Sequence, residues 1–218
     1  MQRNRVMVKF ASGESVETLI EQARWKEARA LIEQQLQEDS QNHWLLTQLG
    51  VTHYEEGQHR EALRPLLASL EIVPDCPLTL WNIAGALDAS GNPERAIPIY
   101  TWLIRSKKTR HDDECWESAE WTDSLKTDCV YRLGICFQHL KKWESAENCF
   151  RQYINLLLAG MSGLYSADDA ARRIRELAGK GKRKLGKQVR DAFGSTLQDA
   201  GLGRGGLPQL STAELLVI

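Results

Sequence analysis

HWLLTQLGVTHYEEGQHREALRPLLASLEIVPDC, residues 43–76, runs directly into PLTLWNIAGALDASGNPERAIPIYTWLIRSKKTR, residues 77–110. The two stretches have one length and one plan. Superposed, they set Leu49 on Ile83, Gly50 on Ala84, Gly57 on Gly91, Ala62 on Ala96 and Leu66 on Tyr100. A fixed period of 34 residues with small residues at fixed places is the mark of a repeat array. Each unit reads as two helices. Gly50/Ala84 and Ala62/Ala96 are small where the two helices cross. Gly57 and Gly91 close the first helix in the left-handed conformation that glycine adopts at little cost. Asn92-Pro93 offers an N-cap followed by proline at the first helical position, and Pro74 stops the preceding helix. Pro65 and Pro98 fall about a turn inside their helices and predict slight kinks.

A step of 34 back from Ala62 reaches Ala28. Around it Trp25, Leu31, Ile32 and Leu36 keep helical spacing. The partner helix, about Glu14 to Ala23, has Ser15 and Val16 where Leu and Gly are expected, and no glycine marks its turn. Residues 9–42 therefore read as a degenerate end repeat. Downstream, Leu133, Gly134, Phe137, Ala146, Phe150 and Tyr153 restore the pattern, Tyr153 standing poorly at a small-residue position. Ala96 to Ala146 spans 50 residues, 16 more than one period, which places an insertion at about 111–126. Trp121, Leu125, Cys129, Leu133 and Phe137 step by four, so the insertion's later half extends the next helix backwards; the polar Lys107 to Glu114 reads as a loop. Ser166 with Asp168 and Asp169 starts a further helix, Ala167 to Ala178, with the stripe Ala170, Ala171, Ile174 and Leu177.

The pattern resembles the tetratricopeptide repeat. The expected fold is all-α, an α-solenoid of antiparallel helix pairs over 9–178, with repeats at about 9–42, 43–76, 77–110 and 127–160, a capping helix at 167–178 and a basic, Gly-rich tail at 179–218. The resemblance implies a protein–protein interaction module that holds a peptide or helix on the concave face made by the first helix of each repeat. In the family's register that face carries Trp44, Thr47, Val51, Tyr54 and Glu55; Leu78, Trp81, Gly85 and Asp88; then Asp128, Tyr131, Ile135 and Gln138. This aromatic, apolar set has the composition of an interaction hot spot, with core packing the competing reading for any single aromatic. The Lys and Asn with which one variant of the family grips acidic C-termini are absent from these positions. The groove is closer in character to that of type III secretion chaperones, an analogy of architecture.

Composition bounds the alternatives. At 42% hydrophobic and 26% charged the 218 residues suit a globular domain. No apolar run approaches membrane-spanning length, and no secretory signal follows Met1. Five cysteines without framework spacing point to reduced thiols in a cytoplasmic protein. Cys115, Cys129, Cys136 and Cys149 with His111 and His139 lack any C-x-x-C pair, and within helices such thiols pack as small apolar groups. No metal, cofactor or catalytic motif emerges, so an enzyme is not expected.

The net charge of −1 hides ten Lys/Arg against six Asp/Glu in residues 168–218. Arg172, Arg173, Arg175, Lys180, Lys182, Arg183, Lys184, Lys187 and Arg190 carry it. They read as a solvated tail, or alternatively as a phosphate-binding surface for nucleic acid, or as a surface for an acidic protein or anionic lipid. No aromatic interleaves them, unlike a single-strand binder. Leu185, Val189, Phe193 and Leu197 have helical spacing, interrupted by Gly186 and Gly194, and Gly201 to Gly206 reads as a linker. The apolar end, residues 207–218, contains Ser211-Thr-Ala-Glu214 in capping-box form and reads either as a free end or one docked elsewhere, or as a pseudo-ligand that folds back into its own groove or a neighbour's.

Overall fold

The structure is a computed structural model that describes residues 14–106, 118–178 and 180; the expected loop at 107–114 and most of the tail lie outside them. Nine helices lie among the described residues, with no strand: α1 (Val16–Glu21), α2 (Trp25–Glu38), α3 (His43–Glu55), α4 (His59–Ile72), α5 (Pro77–Ala89), α6 (Pro93–Arg105), α7 (Ala119–His139), α8 (Trp143–Leu158) and α9 (Ala167–Leu177). Each packs on its neighbours in chain order, and α3 also touches α5. Trp25, His59 and Pro93, which open the second helices of successive hairpins, are 34 residues apart. This is a helical solenoid.

Helix starts follow local chemistry where a capping side chain is available. Asn42 accepts from the Leu45 N–H at 2.9 Å, Ser118 from Trp121 at 3.1 Å and Ser166 from Asp169 at 3.0 Å. Each bond satisfies a first-turn donor that has no partner within its helix. Asn92 departs from expectation. It occupies the N-cap position, but its side chain makes no cap bond and donates instead to the Ser90 carbonyl at 3.3 Å. Ser15 also overturns its sequence reading, because it is the N-cap of α1 rather than a misplaced helical residue, so α1 is six residues and shorter than the 14–23 expected. α4 and α6 continue through Pro65 and Pro98, and the insertion extends α7 backwards to 21 residues.

The hairpins close on small residues. A Cβ built on Gly50 would stand 2.4 Å from Leu66 Cγ, and one on Gly134 would stand 2.7 Å from the Phe150 ring. Ala62, Ala96 and Ala146 are fully buried at the corresponding places on the second helices. Two apolar clusters result. Val16, Leu19, Ala28, Leu31, Ile32 and Leu45 form one, with Trp44 and Leu49 packed against it. The larger runs from Ala62 on α4 to Leu177 on α9. Between them sits a buried hydroxyl cluster, in which Thr47 Oγ1 is 2.8 Å from both Ser69 and Thr79 and donates to the His43 carbonyl at 2.9 Å.

Candidate peptide-binding face

The first helices of the hairpins, α3, α5 and α7, carry the positions expected to meet a partner. On α3, Trp44, Val51 and Tyr54 are half-buried, and on α5 so are Leu78 and Trp81. Tyr54 reaches across to α5, where Gly85 makes room for it: a Cβ there would stand 3.4 Å from the tyrosine ring. Trp81 meets Tyr100 edge-on, with centroids 5.5 Å apart. These aromatic bodies are seated on the core while part of each stays accessible.

Other expected groove residues serve packing. Thr47 belongs to the hydroxyl cluster and is fully buried. Ile135 is buried within α7. Asp88 is buried and ties α5 to α7, with its carboxylate 2.8 Å from His139 Nδ1 and 3.6 Å from the Arg132 guanidinium. Arg132 in turn donates through Nε to the Tyr100 hydroxyl at 3.1 Å. Sequence reasoning did not single out Arg132. The signal available was a cation on a first helix, which becomes informative only when Asp88 and Tyr100 come within reach.

The α7 part of the face is covered by the chain itself. Tyr165, in the segment leading to α9, stacks on Tyr131 with centroids 3.9 Å apart and planes 10° from parallel. The Tyr131 hydroxyl meets Asp169 and Arg173 of α9, and the Arg173 guanidinium lies 5.5 Å from the Tyr131 ring centre. Beneath them the buried Asp128 carboxylate accepts from the Leu164 N–H at 2.9 Å, and the Tyr153 hydroxyl stands 3.2 Å from it. Tyr153 also accepts from the Tyr165 N–H at 3.1 Å and lies 2.7 Å from the Tyr165 carbonyl oxygen. Burial raises the Asp128 pKa above the ordinary carboxylate value against the pull of these two hydrogen bonds. Tyr131 is therefore an interior residue, and Gln138, half-buried, sits beside Arg173. Tyr153, a poor match to the repeat pattern, is large because it holds this segment.

The basic residues divide. Arg172 pairs with Asp169 and Glu176, and Arg173 with Asp169. Arg175 is exposed, and the Lys180 ammonium lies 5.6 Å from the Trp143 ring centre. Lys182, Arg183, Lys184, Lys187 and Arg190 lie outside the described residues, as do 185–197 and 207–218. Cys76, Cys129, Cys136 and Cys149 are buried; burial pushes the Cys149 thiol up to about 12, far from a reactive thiolate. Among the described residues no three His, Cys, Asp or Glu side chains gather as a metal site, and no helix is long and apolar enough to cross a membrane.

Stacked antiparallel hairpins with an aromatic face on their first helices define a helical-repeat scaffold of the kind that binds other proteins. Residues 19–78 and 128–156 each match a tetratricopeptide repeat family model. The chain thus carries tetratricopeptide repeats over these two stretches, and such repeats mark a protein–protein interaction module. No curated protein matches it significantly.

Proposed function

We propose that the chain is an adaptor or chaperone-like protein that holds an apolar peptide or helix on the α3–α5 face. One observation carries this reading. Tyr54 and Trp81 are seated on adjacent first helices with part of each ring accessible, while the α7 portion of the same face is already taken by Tyr165 and α9. The partner site is thus the stretch of face before Tyr165, with Trp44, Val51 and Leu78 around the two central rings. Preformed aromatic anchors of this kind contribute most of an interface's binding energy, at about 2 kcal/mol or more each when truncated.

An array of apolar helical peptides tests it. Trp81→Ala and Tyr54→Ala should each weaken capture at least about tenfold while leaving far-UV circular dichroism unchanged. Capture that survives both substitutions would exclude this face. Tyr131→Ala belongs to a different class: its ring is interior, so it should lower the melting temperature.

A further inference from the structure

Away from that face, α3 and α4 form a second, open trough of about 620 Å³. Its floor is apolar: Leu46 and Leu49 from α3, Pro65 and Ala68 from α4. Arg60 and Arg64, one turn apart on α4, stand at its rim, both exposed. Neither has an ion-pair partner among the described residues. Of the remaining polar lining, His53 is held by Gln58 at 2.6 Å, and Glu61 is the single carboxylate. The lining runs from Leu46 to His53 on α3 and from Arg60 to Ala68 on α4, a rise of roughly 10–12 Å, about the length of a two-turn helix.

We propose that this trough receives the chain's own residues 207–218. Three observations select that segment. Ser211-Thr-Ala-Glu214 has capping-box form ahead of Leu215-Leu-Val-Ile218, which makes about two turns, too short to hold without a surface to fold against. Its single charge is Glu214, opposite in sign to Arg60 and Arg64; residues 1–13 carry Arg3, Arg5 and Lys9 and would be repelled. The described chain ends at Lys180 on Trp143, at the start of α8. Residues 181–206 supply 26 residues of chain, and a flexible chain of that length reaches roughly 25–30 Å on average. α8 is two second-helix steps from α4, on the order of 20 Å at typical interaxial spacings. The segment reaches the trough in cis, leaving the α3–α5 face free for a partner, so this inference stands apart from the function proposed above.

The test uses the full chain with Leu216 replaced by photoreactive p-benzoylphenylalanine, in an equal mixture of isotopically light and heavy protein. Cross-links should fall on α3 and α4 between Leu46 and Ala68, and within one copy. Arg60→Glu with Arg64→Glu, both at exposed positions, should cut the yield about tenfold, and adding Glu214→Arg should restore most of it. Trp81→Ala should leave the yield unchanged. Cross-links on Trp81 or Tyr54, cross-links between light and heavy copies, absence of cross-links, or a yield indifferent to charge reversal would each overturn the proposal.

Discussion

Asp128 shows how one residue couples folding to pH. Its carboxylate is buried, and burial raises its pKa, so the folded chain binds a proton more readily than the unfolded one. The contribution to stability is complete below the unfolded value near 4 and is lost as pH rises through the higher folded value. Asp128→Asn keeps an acceptor for the Leu164 N–H and should flatten that fall, seen as a smaller drop in melting temperature on going from pH 4 upwards. Asp128→Ala leaves that N–H without its partner and should destabilise by about 1–3 kcal/mol. Packing at the crossings is equally local. Ala96→Trp or Ala62→Trp places an indole where no space exists, and overpacking there should cost on the order of 1–3 kcal/mol or more. Melts within a degree or two of wild type would contradict the crossing geometry.

At the scale of the element, the turns within the hairpins use one design regardless of residue. In each, the residue after a left-handed one returns its N–H to a carbonyl five positions back: Arg24 to Leu19, Gln58 to His53, Asn92 to Leu87 and Lys142 to Phe137, all within 2.8–2.9 Å. Gly57 and Gly91 supply the positive φ in two turns, at 75° and 85°. Ala23 and Lys141 adopt it in the others, at 55° and 58°. A side chain in that region strains the backbone, and only part of the strain is offset by the smaller entropy lost on folding. Lys141→Gly should therefore stabilise the chain by roughly 0.5–1 kcal/mol in urea unfolding, whereas Gly91→Ala should destabilise it by a similar amount. Equal midpoints for both variants would show that the turn is not strained.

Across the whole molecule the two apolar clusters set different local stabilities. The N-terminal cluster is built on a six-residue helix and α2, with Leu45 its buried link to α3. The main cluster joins five hairpin helices and the α9 cap. Among the described residues the α1–α2 pair packs on the array chiefly through α3, and a repeat held on one side opens at lower free energy than the middle of an array. Native-state hydrogen exchange should find α1 and α2 amides exchanging faster than those of α5 to α8. Uniform protection from α2 to α8 would indicate a single cooperative unit.

Much of this was legible in the chain. The 34-residue period, the small residues at crossings, the two turn glycines and the four-residue step from Trp121 to Phe137 are local or strictly periodic signals, and each depends on backbone geometry that neighbouring residues dictate. The turns at Ala23 and Lys141 were not legible, because hairpin packing imposed a conformation that those residues do not prefer. Nor was the division of the first-helix positions into accessible and interior. Thr47 and Tyr54, or Trp81 and Tyr131, look alike in register. Their exposure depends on what arrives from elsewhere: hydroxyls from α4 and α5 in one case, Tyr165 and α9 in the other. Sequence periodicity determines which side of a helix faces the array; only the tertiary structure decides which part of that side is already filled, because the filling residues come from distant positions that no local pattern relates.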